Sequence, residues 1–351
     1  MMPVTKMLVY PTTLTYYVKN DLLISAFCNL LIEGVIVGLI MLLAKKTDKS
    51  FFSLIEDRFG NLTARIVYAV CALFFFASAL LPLAEQKLFV MQVFYENVPS
   101  IISFAPFFFV CFFACAKGFK SIGRAADLCL PVFAVSFTVI LLLSLPHADF
   151  SALLPITAVS PLTIGKGSLF SVNWFTDCFF LLFFLGNFEY EKNASKKVIL
   201  SFAAGAFFIL IFLAVFYGVF ADIAIRQQNA IAQLPKYTTA FTSLGRLDYL
   251  FLFALTLVMI FYLCVPIQLC VHCICKTFKN CRPTLPSLAV NAAMLGLVIL
   301  LNRSFNELQT FLTSQAWFVF LIFAYLLPVL ALLLPKKILP KYKNKKEKLY
   351  E

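Results

Sequence analysis

Charge is scarce in this chain. Asp, Glu, Lys and Arg make up 13% of its 351 residues, about half the share of a soluble domain. Histidine is scarcer still, at 2 residues, and glycine numbers only 12. No GxxxxGK[ST], HExxH or GxSxG occurs, which removes P-loop, zinc-protease and nucleophile-elbow chemistry. The two histidines, His147 and His272, leave a membrane acyltransferase without a well-placed base. No enzymatic activity and no cofactor is therefore expected. Scarce charge together with high apolarity also excludes a disordered chain.

What is abundant is apolar. Hydrophobic residues form 62% of the chain, and Phe alone supplies 42; mean hydropathy is +0.92. A soluble fold of this length has too little polar surface to cover such a core. The class that remains is an all-α polytopic membrane protein. The 11 cysteines fit the same setting. Most lie in apolar runs (Cys28, Cys71, Cys111, Cys115, Cys129, Cys178, Cys264), where Cys behaves as a small hydrophobe. Cys270, His272, Cys273 and Cys275 contain metal-ligand types, but no second Cys/His pair accompanies them, so no metal site is expected. Residues 1–19 show no apolar run followed by a cleavage site, so no cleavable signal peptide is expected.

Nine runs approach the length needed to cross about 30 Å of hydrocarbon as helix. They lie at roughly 22–44, 66–84, 100–116, 127–145, 169–187, 198–221, 249–273, 285–301 and 315–335. A tenth piece, about 7–18, is too short to span alone. It reads as the second half of a helix whose first half is absent from this chain. All ten form one transmembrane domain, about 1–335, followed by a basic tail at 336–351. With ten helices the loops alternate in charge, and 22 of the 29 basic residues fall on one side. Lys6 is counted there; Lys19, Lys87, Lys166, Arg226, Lys236, Arg246 and Arg303 are on the other side. That split is a positive-inside pattern and puts both termini in the cytoplasm. The formal charge of +12 is thus read as orientation rather than as a nucleic-acid surface.

Ionisable groups inside membrane helices are costly, about 2.5–3.5 kcal/mol each on insertion scales, and so mark candidate sites. Three stand out. Glu33 lies mid-helix and reads as a packing or helix–helix contact. Glu85 follows 66–84 with apolar flanks; it belongs to a site if the helix continues to about Tyr95, or reaches water at the membrane edge. Asp177 lies in GKGSLFSVNWFTDCFF, which starts at Gly165. Gly165 and Gly167 can break or start a helix there. Ser171, Asn173, Thr176 and Asp177 then put polar groups on a Phe-rich span, with Asn173, Thr176 and Asp177 on one face. Either these residues form a ligand site at a discontinuous helix, or they are a polar helix start facing water. Phe76 and Tyr262 are candidate pocket walls, Tyr262 because a mid-span phenol needs a partner.

Three stretches resemble the spore germination permeases, the B subunits of germinant receptors, within the amino acid–polyamine–organocation transporter superfamily. GFKSIGRAADLCLPVF and LPHADFSALLPI match the family's pattern at Gly118, Arg124, Pro131, Asp149, Leu154 and Pro155. LGRLDYLFLFALTLVMIF, from Leu244, is similar to the family's entry to helix eight, with Gly245 in place of an acidic residue. PTTLTYYVKNDLLIS, from Pro11, resembles the junction of helices one and two. The resemblance covers nearly the whole chain and implies a five-plus-five inverted-repeat bundle with helices one and six broken; here the first helix is shortened. It implies a site among helices one, three, six and eight, which matches the helices of Glu85, Asp177 and Tyr262. It further implies sensing of a small germinant, usually an amino acid, in the spore inner membrane. The implied partners are an A subunit and a C-subunit lipoprotein. A free-standing secondary transporter is the competing expectation.

Overall fold

The computed structural model describes residues 5–94, 100–187, 190, 193–227, 229–236, 248–278, 281–301 and 304–334. The basic tail at 336–351 and residues 244–247 of the LGRLDYL stretch lie outside the described residues. Among the described residues the chain is helical throughout, with no strand. That outcome follows from composition, because a backbone in hydrocarbon must satisfy its own hydrogen bonds.

The N-terminal part is a 3-10 turn, Thr5–Met7, followed by α1 (Tyr10–Val18) and α2 (Leu22–Lys46), joined by the turn Lys19–Asp21. The stretch Tyr10–Lys46 meets the length and apolarity of a membrane span as one piece of 37 residues. Lys45 and Lys46 end α2, where cations oppose the negative pole of the helix dipole. A short helix that the hydropathy pattern does not announce comes next, α3 (Phe51–Phe59). Ser50 caps it by accepting from the Ser53 N–H at 3.3 Å, and only its Phe51, Leu54 and Ile55 side is buried.

α4 (Asn61–Phe94) has 34 residues and carries Glu85 well inside it. At 1.5 Å per residue it is about 50 Å long, more than the hydrocarbon needs. α5 (Ser100–Lys117) and α6 (Phe119–Ser144) follow. The expected span at 169–187 is two helices, α7 (Pro161–Phe170) and α8 (Asp177–Phe184). They are bent by 59° across a break that contains a 3-10 turn, Val172–Phe175. Gly165 and Gly167 lie inside α7 and do not make the break. Gly167 serves close approach instead, since a Cβ there would stand 2.6 Å from Val18 Cγ1 of α1.

α9 (Ala194–Phe220), α10 (Ala230–Lys236), α11 (Asp248–Thr277) and α12 (Thr284–Leu300) continue the bundle. The expected helix at 315–335 is also broken. α13 (Phe305–Thr310) leads into a π turn, and the chain bends by 58° before α14 (Trp317–Leu321) and α15 (Leu327–Ala331). Among the described residues five stretches are long and apolar enough to span, or up to seven if each bent pair is one span. α11 is central, packed on α4, α5, α6 and α12, and its Leu255, Val258, Met259, Leu263, Cys264 and Ile267 are buried.

Candidate functional site

The α7–α8 break opens on a small cavity near the middle of α4 and α11. Asn173, Thr176 and Asp177 of the break line it, with Ser78 and Pro82 of α4, Tyr262 and Pro266 of α11, and Thr5. Two of the walls carry a proline inside a helix. Pro82 and Pro266 lack an N–H, so the carbonyls four residues earlier, those of Ser78 and Tyr262, lose their helical donors. Both residues face the cavity. About 20 Å³ is open to the centre of a water-sized sphere, room for a water rather than an amino acid.

The electrostatic centre is Asp177. Its Oδ2 stands 2.6 Å from Lys6 Nζ, and its Oδ1 accepts from the Tyr262 hydroxyl. Lys6 Nζ also lies 3.8 Å from Glu33 Oε2 and 4.9 Å from the Phe175 ring centroid. The Lys6 and Glu33 side chains are completely buried, and Asp177 retains 13% exposure. Lys6 therefore belongs to the core. Its place in the charge count, as a cytoplasmic flanking residue, is corrected here. Proximity to the start of the sequence hid it; the signal that would have found it is a lone lysine in an otherwise uncharged VTKMLVY. Glu33, read from the sequence as a helix contact, faces this same cluster from α2.

Four of the seven residues selected from the sequence line the cavity: Asn173, Thr176, Asp177 and Tyr262. The side-chain oxygen and nitrogen of Asn173 are shielded from solvent and have no hydrogen-bond partner among the described residues. The other three sit elsewhere. Ser171 donates to the Gly167 carbonyl at 2.8 Å and accepts from Asn29 at 2.9 Å, which ties α7 to α2. Glu85 is fully buried and accepts from the Trp174 indole N–H at 3.2 Å, one side chain behind the cavity wall. Phe76 is half-buried on the core's edge, while its neighbours Phe74 and Phe75 pack against Phe179 of α8. Among the described residues no three of His, Cys, Asp or Glu gather as metal ligands would.

Apolar helices in number, two of them broken, with a buried ion pair at one break, define a multi-pass membrane protein with a permease-like core. The spore germination protein family, the spore permeases, matches residues 12–306. The chain belongs to that family. No curated protein matches it.

Proposed function

We propose that the protein is the germinant-sensing subunit of a spore germination receptor and takes its ligand at the Asp177 cavity. The observation that carries this is the placement of the Asp177 carboxylate and the buried Asn173 amide around one small cavity at a helix break, with two helix prolines in its wall. Free helix ends and unwound backbone hold substrate in transporters with broken helices. An amino acid suits such a site, its ammonium toward Asp177 and its carboxylate toward backbone N–H groups. The reading includes a ten-helix, five-plus-five inverted-repeat bundle in the spore inner membrane with both termini cytoplasmic. It also includes an A subunit and a C-subunit lipoprotein as partners, and no enzymatic step. The cavity is too small for an amino acid as it stands, so binding requires Lys6 to shift away from Asp177.

The test is the germinant dose response of spores carrying Asp177→Asn or Glu85→Gln. Losing a charge-assisted hydrogen bond costs about 1.5–3 kcal/mol, so Asp177→Asn is expected to raise the half-maximal concentration at least about tenfold. Glu85→Gln is expected to have a smaller effect through Trp174. Immunoblots of spore membranes should show both variants inserted, and the response is scaled to the amount of each. A wild-type dose response in both would take this cavity off the ligand's path. Ion-coupled uptake by the lone protein in proteoliposomes would instead favour a free-standing secondary transporter of amino acids or related solutes.

A further inference from the structure

Two carboxylates share one ammonium in the buried cluster, and they share it unequally. Asp177 holds Lys6 Nζ at 2.6 Å and also accepts from Tyr262. Glu33 has the same ammonium only at 3.8 Å, and among the described residues its oxygens make no hydrogen bond of normal geometry, although the Cys178 backbone N–H faces them. The ionisable groups that face Glu33 come from every element around it. They are Lys6 of the N-terminal turn, Tyr10 of α1, Asp177 and Cys178 of α8, Tyr262 of α11, and Tyr325 between α14 and α15. Lys6 is the sole cation among them. On its other side, α2 turns Leu31, Ile32 and Val35 outward, so no water lies in that direction within a bilayer. An ionised Glu33 would be a fully buried anion that shares its one counter-ion with Asp177, at a cost of several kcal/mol.

We propose that Glu33 carries a proton in this state and is the proton-exchange site of the cluster. Lys6 and Asp177 then cancel, and the buried set is neutral. Entry of one cationic group keeps it neutral only if one proton leaves. The Glu33 O–H bond breaks, the proton passes to water admitted by the opening, and the new carboxylate becomes a counter-ion for the incoming charge. The inference does not rest on the sensing role, since it concerns the protonation of the unliganded protein.

Infrared spectroscopy of the purified protein at neutral pH tests it through the carboxylic-acid carbonyl stretch. Glu33→Gln keeps the shape of a protonated glutamate, so it is expected to fold and to lose the Glu33 share of that band. Glu85→Gln is expected to retain the Glu33 part of it. A band of unchanged intensity in Glu33→Gln overturns the proposal. If Glu33→Gln does not fold, the Glu85→Gln protein decides: an acid band in it supports a protonated Glu33, and its absence overturns the proposal.

Discussion

Lys6→Met is expected to destabilise the protein by about 3–5 kcal/mol, the usual cost of removing one member of a buried ion pair. Methionine keeps an apolar stem of similar length beneath the Phe175 ring, so little packing is lost. What is lost is the ammonium 2.6 Å from Asp177. Tyr262 remains as a donor to Asp177 but brings no charge. The double variant Lys6→Met with Asp177→Asn removes both charges and is expected to recover most of the loss, because a neutral buried pair leaves no uncompensated ion. A double-mutant cycle isolates the coupling. It can be read from thermal unfolding in detergent, followed by the fluorescence of Trp174 and Trp317. A Lys6→Met protein as stable as the wild type would show that the pair contributes nothing.

Gly186→Ala is expected to cost almost as much, for unrelated reasons. Gly186 closes α8 with φ +80, in the left-handed region. A non-glycine residue held in a sparsely populated region of this kind costs about 1–3 kcal/mol. The added Cβ would also stand 2.7 Å from the Ser50 nitrogen and 2.9 Å from its Cα. Those are backbone atoms at the N-cap of α3, so they cannot rotate away, and overpacking adds about 1–3 kcal/mol. Folded yield after detergent extraction is the measurement, with Gly38→Ala as the control. A Cβ on Gly38 would meet nothing within 4 Å, and the φ there is ordinary. Equal yields for the two variants would mean that the turn after α8 adapts.

The membrane class and the polar character of the Asp177 segment are legible in the sequence, whereas the run of α4 on past Glu85 is only one of two readings there. A carboxylate and a phenol in apolar helices need partners, which is why Asp177 and Tyr262 stand out there, although nothing in the sequence pairs them with each other. The breaks are less legible. Glycine points to the first one too early, because glycine also marks close helix contact, which is what Gly167 provides against Val18. The second, at Ala316, has neither glycine nor proline to mark it; the preceding π turn at Phe311–Gln315 carries the irregularity instead. Lys6 is hidden for a different reason. Charge near a terminus is ordinarily solvated, and only the fold reveals that two buried carboxylates wait for it.

The half-helix α8 has eight residues, Asp177–Phe184, and so is about 12 Å long. One end holds the Lys6 ion pair. Near the other, Phe183 packs edge-on against Phe51 and Gly186 touches the Ser50 backbone. No glycine or proline interrupts it, so it behaves as a short stiff rod with a charged tip and an apolar base. A shift of Asp177 when its cation is exchanged cannot be absorbed along that rod. It is passed on to α3 through the Phe183–Phe51 pair and the Gly186–Ser50 approach, so the ion pair and a helix outside the spans are mechanically one unit.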